Sequence, residues 1–234
     1  MYNFEFKQPT TISDAVNLLK SDEAQALGGG QTLIPTMKQR LASPSTLVSL
    51  TAISEMKGIC KNDDGSISIG GGTTHAEVAS HADIFAGLKT LAENIGDAAV
   101  RNRGTIGGSL ANNDPAACYP AVALSTGATI VTNSREISAD DFFQGMFDTA
   151  LEEGEIIISV RFPVPTSSSY QKFVQPASRF AWLASFYQNL RMERKWLLRE
   201  HQREVFFDGV KLKQRLMKTS LLTLLIIYQL IRTI

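Results

Sequence analysis

Cysteine and histidine are scarce in this chain, and their scarcity removes whole classes of chemistry. Only two cysteines occur among 234 residues, Cys60 and Cys118, far apart and in no CxxC pair. A disulfide framework or a cysteine-ligated cluster within the chain is therefore not expected. The three histidines, His75, His81 and His201, belong to no HExxH motif and no Ser/His/Asp set, so hydrolysis and a metal site find no support. Neither sign of charge is in excess: 23 Lys and Arg balance 23 Asp and Glu. That balance argues against a nucleic-acid tract or a polybasic membrane patch. No basic stretch followed by an apolar core opens the chain, so no secretory signal is visible and the cytoplasm is the expected compartment. Long apolar runs are missing too. The most apolar, Leu221 to Ile231, has eleven residues, whereas a membrane-spanning helix needs about twenty. No GxGxxG follows a strand and no GxxxxGK[ST] occurs, which removes the ordinary dinucleotide fingerprint and the nucleoside triphosphate loop.

What the chain has is clustered glycine on a globular composition, 44% hydrophobic and 20% charged, long enough for one large domain or two small ones. Two loops stand out, Leu27-Gly28-Gly29-Gly30-Gln31-Thr32-Leu33-Ile34-Pro35 and Arg101-Asn102-Arg103-Gly104-Thr105-Ile106-Gly107-Gly108-Ser109, about seventy residues apart. Glycine lets backbone approach a ligand closely and adopt positive φ, and successive N–H groups in such a turn form a concave anion site. One such loop reads as a tight turn. Two, each followed by an apolar helix-like stretch, point to a diphosphate held between two lobes.

The surrounding sequence reads as α+β. Thr11-Ile12-Ser13-Asp14 resembles a helix start, with Ile12, Ala15, Val16, Leu18 and Leu19 following at helical spacing. A further helix-like run passes through Leu33, Ile34, Met37 and Leu41, and Thr46 to Leu50 looks like a buried strand. Ser66 to Gly70 alternates like a strand after the turn Asn62-Asp63-Asp64-Gly65. Thr73-Thr74-His75-Ala76-Glu77 caps and opens a helix, and Leu88 to Ile95 predicts another. Strands are expected at Ala128–Thr132 and Glu155–Phe162, the second closed by Pro163 and Pro165. A doubly wound sheet would alternate more regularly.

Residues 1–180 resemble the flavoprotein (medium) subunit of the molybdenum hydroxylases, the carbon monoxide dehydrogenase and xanthine dehydrogenase family. The resemblance rests on Gly28 to Lys38, on Gly71-Gly72-Thr73-Thr74-His75-Ala76-Glu77, on Arg101 to Ala111 with Asn113-Asp114-Pro115-Ala116 after it, and on Gln175-Pro176-Ala177-Ser178-Arg179-Phe180-Ala181. It implies a two-lobed FAD-binding domain of the p-cresol methylhydroxylase and vanillyl-alcohol oxidase type over residues 1–177. Lobe one would cover about 1–51, lobe two about 52–177, and a C-terminal domain 178–234. It implies that Gly28, Gly29, Gly30, Gln31 and Thr32, together with Thr105, Ile106, Gly107, Gly108 and Ser109, wrap the FAD diphosphate. Backbone N–H groups would meet the charge, and the Thr32 and Ser109 hydroxyls would add bonds. Leu33, Ile34, Thr74 and Asp114 complete the expected cofactor set, and Ile157 matches a hydrophobic position that packs on the cofactor. No catalytic acid or base and no metal ligand is expected. His75 is expected to order a helix start, without a covalent flavin link.

The implied partners are a large molybdopterin subunit that oxidises substrate and a small subunit with two [2Fe–2S] clusters, with FAD passing electrons to an external acceptor. A self-contained flavin oxidase of the same fold and a non-functional truncated remnant are the rival readings. Two positions depart from the family. Where it often carries an aspartate after the second loop this chain has Cys118, so either Asp114 substitutes or Cys118 is a core residue. Where a lysine or arginine often precedes Gln-Pro-Ala-Ser-Arg, this chain has Val174.

Near residue 181 the character of the chain changes. Every glycine but Gly209, and every proline, lies before it, and the remainder has no clean helical or strand period. Back-translating Glu204 to Thr219 and reading two bases on gives, for one choice of codons, SVFRWSEVEAALNEN, which resembles the family's C-terminal domain. The expectation is a frameshift at about Ala181, with the run Leu221 to Ile231 an aggregation liability rather than a membrane or partner segment.

Overall fold

The computed structural model describes residues 1–190, 193–200 and 203–208. The chain opens with a short strand, β1 (Glu5–Lys7), and a helix, α1 (Ile12–Leu19). Thr11 caps α1 by accepting from the Asp14 N–H, and Ala15 and Leu19 face inward. β2 (Ala24–Leu27) leads directly into the first glycine loop, which opens α2 (Leu33–Lys38), and β3 (Thr46–Ser49) follows. These strands form a parallel sheet in the order β1-β3-β2. The helix α2 stops short of Leu41, which the periodicity had included. Gln39 and Arg40 turn the chain away, Arg40 at φ 62°, and Leu41 is 75% exposed.

A second layer runs from β4 (Ile59–Lys61) and β5 (Ile67–Gly70) through α3 (His75–Ser80), α4 (Ala86–Glu93), α5 (Ala98–Arg101), α6 (Ile106–Asn112) and α7 (Tyr119–Thr126) to β6 (Thr129–Thr132) and β7 (Glu136–Ser138). After α8 (Ala139–Phe142), the hairpin of β8 (Phe143–Gly145) and β9 (Asp148–Thr149) precedes β10 (Ile157–Phe162). Strands order β4-β5-β10-β6-β7, all pairings antiparallel, with β10 at the centre. Alternation explains the burial of Val160 and Phe162, while the register shift between Ile157 and Ser159 turns Ile157 inward as well. All three enter the core with Ile67, Ile69 and Ile130, against Leu88, Leu91, Ile106 and Tyr119 from the helices. Glu155, read as strand, instead lies before β10, its carboxylate held by Arg135. The helix read at Leu88 to Ile95 starts two residues earlier and ends at Glu93.

The third layer is an antiparallel meander, β11 (Ser167–Val174), β12 (Ala181–Leu190), β13 (Glu193–Glu200) and β14 (Arg203–Asp208). It begins upstream of the domain boundary expected at 177, because β11 pairs along its length with β12. Residues 181–190, which show no clean period, thus form a strand with Leu183, Ala184, Phe186 and Tyr187 buried. The apolar run Leu221 to Ile231 lies outside the described residues. Among the described residues no helix is long and apolar enough to cross a membrane.

Candidate cofactor site

The two glycine loops meet. A Cβ at Gly29 would land on the Arg103 carbonyl and the Gly104 Cα, so the loops cross with backbone against backbone. The Thr74–Thr105 bridge ties the second loop to the α3 start, where His75 N–H donates to Gly104 O at 3.0 Å. Thr74 caps α3 in a reciprocal box with Glu77, and Thr105 caps α6 by accepting from the Gly108 N–H. Glycine serves here chiefly to let two turns and two helix starts occupy one small volume.

Between the loops, and beside the C-terminal sheet, lies a cleft of about 700 Å³, within the size range of small-molecule sites. Of the residues expected to bind the cofactor, Gly28, Gly29, Gly30, Gln31, Thr32, Leu33, Thr105, Gly107, Gly108, Ser109, Asp114 and Ile157 line it. Ile34, Thr74 and Ile106 do not. Ile106 is wholly in the core, Ile34 packs under Gly30, and both polar groups of Thr74 are bound to Glu77.

The loops differ in a way no sequence pattern reveals. The N–H groups of Gly28, Gly29, Gly30, Gln31 and Thr32 donate to nothing among the described residues. In the second loop Ile106 N–H donates to Thr73 O at 3.1 Å, Gly107 to Gly71 O at 2.9 Å, Gly108 to Thr105 Oγ1 at 3.2 Å and Ser109 to Thr105 O at 3.0 Å. Gly28, Gly29 and Gly30 are half-buried and Gln31 and Thr32 exposed, so this run of consecutive N–H groups on the wall of a cleft offers an anion a set of donors not engaged in the fold. Four of the second loop's amides are thus engaged within the fold, in contrast to the first loop, and Ser109 is among the residues lining the cleft. The residues present fit a diphosphate on this evidence.

Several lining residues escaped the sequence reading. Cys118 is both a core residue, 6% exposed, and part of the cleft wall. Asp114, a member of the expected set, lies on the same wall, with Oδ1 accepting the Ala116 N–H at 2.7 Å. Lys172 and Arg179 bring positive charge from the third layer, and Lys172 Nζ also donates to Asn94 O at 2.8 Å. On β11 Lys172 stands two residues before Val174, and the pairing with β12 shifts register between Phe173 and Val174, so no simple alternation in the sequence marks this cation. His75 also lines the cleft, buried and neutral: burial, then the Arg101 charge, lowers its pKa from 6.5 to about 4. Among the described residues no group of three or more His, Cys, Asp and Glu is placed to hold a metal.

Comparison with known proteins agrees with this geometry. Residues 2–165 match the model for the FAD binding domain in molybdopterin dehydrogenase. The carbon monoxide dehydrogenase medium chain of Afipia carboxidovorans is 35% identical over 195 residues, covering 78% of this chain and 67% of the relative. The glyceraldehyde dehydrogenase medium chain of Sulfolobus acidocaldarius is 32% identical, covering 76% and 66%. Among solved structures, quinoline 2-oxidoreductase from Pseudomonas putida superposes with TM-score 0.82 at 28% identity, covering 89% of this chain and 78% of that one. The chain spans about two thirds of the length of these curated relatives. With the matched residues taking in both glycine loops and the strand that follows them, the chain belongs to the family of FAD-binding domains of the molybdopterin dehydrogenases.

Proposed function

We propose that this chain is the flavoprotein subunit of a molybdenum-containing hydroxylase, holding FAD in the cleft and passing electrons from [2Fe–2S] clusters of a small subunit to an external acceptor. A large molybdopterin subunit would oxidise the substrate, and the complex would work in the cytoplasm. The observation that carries the reading is the run of five amides at Gly28–Thr32 on the cleft wall that donate to nothing among the described residues. FAD supplies the redox chemistry when bound; the protein supplies placement and electrostatics.

In this reading the first-loop amides and the Thr32 and Ser109 hydroxyls hold the diphosphate, and Ile157 packs on the cofactor. Lys172 and Arg179 place positive charge on the same cleft, which favours an anionic ligand. A p-cresol methylhydroxylase type of fold is supported by the small parallel sheet, the five-stranded antiparallel sheet and the cleft beside both. The test is to purify the full chain and titrate it with FAD, then mix it with the large and small subunits and follow substrate-driven flavin reduction. Flavin that binds and is reduced only in the complex supports the subunit reading. Reduction by substrate without partners would favour a self-contained oxidase, and a chain that takes up no flavin would sink both.

We also propose that the sequence leaves its proper frame at about Ala181. Gln188 supports this: it is fully buried and its Oε1 has no partner among the described residues, a destabilising choice for a core strand. Trp182, on the same strand, is 48% exposed. Resequencing codons 170–234 decides the matter, and an uninterrupted frame through codon 181 refutes it.

A further inference from the structure

His75 is a buried titratable side chain on the cleft wall without a role in the cofactor reading above. It is 5% exposed, and its Nδ1 lies 3.2 Å from the hydroxyl of Tyr119, which is fully buried. That contact is the hydroxyl's one hydrogen bond among the described residues. A buried phenol proton needs an acceptor, and burial pushes the Tyr119 hydroxyl up, so it keeps that proton. The imidazole is neutral and carries a single proton. Tyr119 therefore donates to Nδ1, and the ring proton sits on Nε2. Nε2 has no partner among the described residues and lies beside Gly104, where a Cβ would approach it to 2.6 Å.

We propose that His75, in the Nε2–H form set by Tyr119, donates a hydrogen bond to an oxygen of the cofactor diphosphate. The inference rests on the FAD reading of the cleft and deepens it. The second loop has its Ile106–Ser109 amides engaged in the fold, so its side of the cleft presents a side-chain N–H packed against Gly104 instead. The acceptor is anionic, which makes the bond stronger than one between neutral groups. Tyr119 is a positioning residue: it touches no cofactor, and acts by fixing which ring nitrogen carries the proton.

The experiment is nitrogen-15 NMR of the histidine rings in the full chain, alone and with saturating FAD or ADP. FAD affinities of the wild type, His75→Phe, His75→Gln and Tyr119→Phe accompany it, read from flavin fluorescence. The free chain should show His75 protonated at Nε2 only, and both ligands should shift that N–H, since ADP carries the diphosphate without the flavin. His75→Phe should bind FAD about tenfold to a hundredfold more weakly, the range for losing a hydrogen bond to a charged group. His75→Gln, which keeps an N–H, should recover part of the loss, and Tyr119→Phe should give a mixture of ring forms. An Nδ1-protonated ring in the free chain overturns the proposal. So does a shift with FAD but not ADP, or FAD binding that leaves both the N–H resonance and the His75→Phe affinity unchanged. A wild type that binds no FAD overturns it together with the cofactor reading, a failure told apart because no flavin is then retained.

Discussion

At position 29 a methyl group would meet the Arg103 carbonyl and the Gly104 Cα, both backbone and neither able to swing aside. Gly127 is the opposite case, with nothing within 4 Å of an added Cβ but a φ of 64°. Gly29→Ala should therefore separate the crossed loops, costing about 3 kcal/mol and abolishing FAD uptake. Gly127→Ala should cost only about 1 kcal/mol, from backbone strain, and leave uptake intact. Urea denaturation and flavin titration of the two variants check the contrast. Equal losses of stability would show that the loops do not depend on backbone contact. This distinction between glycines was hidden in the sequence, where Gly28, Gly29 and Gly30 look alike. Which of them meets a ligand and which meets the other loop depends on a crossing between residues far apart in the chain.

The helix α6 is anchored at both ends, by Thr105 at its start and by Asn113 at its finish. Asn113 is 5% exposed and sits at φ 40°. Its Nδ2 donates to Gly145 O at 2.7 Å and to Asp148 O at 2.9 Å, while its carbonyl accepts from Phe147 N–H at 3.1 Å. One residue thus stops the helix and grips the β8–β9 hairpin, whose tip exposes Met146 and Phe147. Asn113→Ala should lose roughly 2–3 kcal/mol through two missing hydrogen bonds and a strained φ, and the hairpin should become the first site of limited proteolysis. Asn113→Gly should recover the strain but not the hairpin. Unchanged cleavage at residues 143–149 in both variants would refute this role. Elements with strong local signals were legible from the sequence: the caps at Thr11 and Thr74, the alternation at Ile67–Gly70, and the β10 run. Short strands such as β1, β4 and β8 were not, because three residues carry too little period and their places are set by pairing partners.

Across the whole molecule, acid should act in two windows. His75 has its pKa lowered from 6.5 to about 4 by burial and then by Arg101. The unfolded chain thus binds that proton more readily, and stability falls as pH drops from 6.5 toward 4. For Glu155, burial alone would raise the pKa, but hydrogen bonds from Arg135, Thr132, the Glu152 N–H and Ser134 outweigh it and hold the group at about 2 instead of 4.5. Its contribution is complete above 4.5 and is lost as pH falls toward 2. Urea midpoints measured from pH 7 to pH 3 should decline throughout, and His75→Gln should flatten the upper part alone. A flat profile between pH 6.5 and 5 would contradict a buried neutral imidazole. Because FAD binds the folded chain, a concentration one hundred times its Kd should add about 2.7 kcal/mol, visible as a concentration-dependent rise in Tm. A Tm indifferent to FAD would remove the cleft from consideration.

The crossing of the loops also constrains how this protein can change over generations. Gly29 and Gly107 face main chain, the Arg103 and Gly71 carbonyls respectively, and no mutation elsewhere can trim a carbonyl. Gly104 is hemmed in by both kinds of group, His75 Nε2 at 2.6 Å and the Val100 carbonyl at 3.0 Å, whereas Gly28 faces a side chain alone, Thr105 Oγ1 at 2.9 Å. A descendant could enlarge position 28 only after position 105 had given way. Gly29 and Gly107 are therefore frozen in every lineage that keeps the fold, and Gly104 is held on two sides, whereas Gly28 can drift, in a fixed order and always in company.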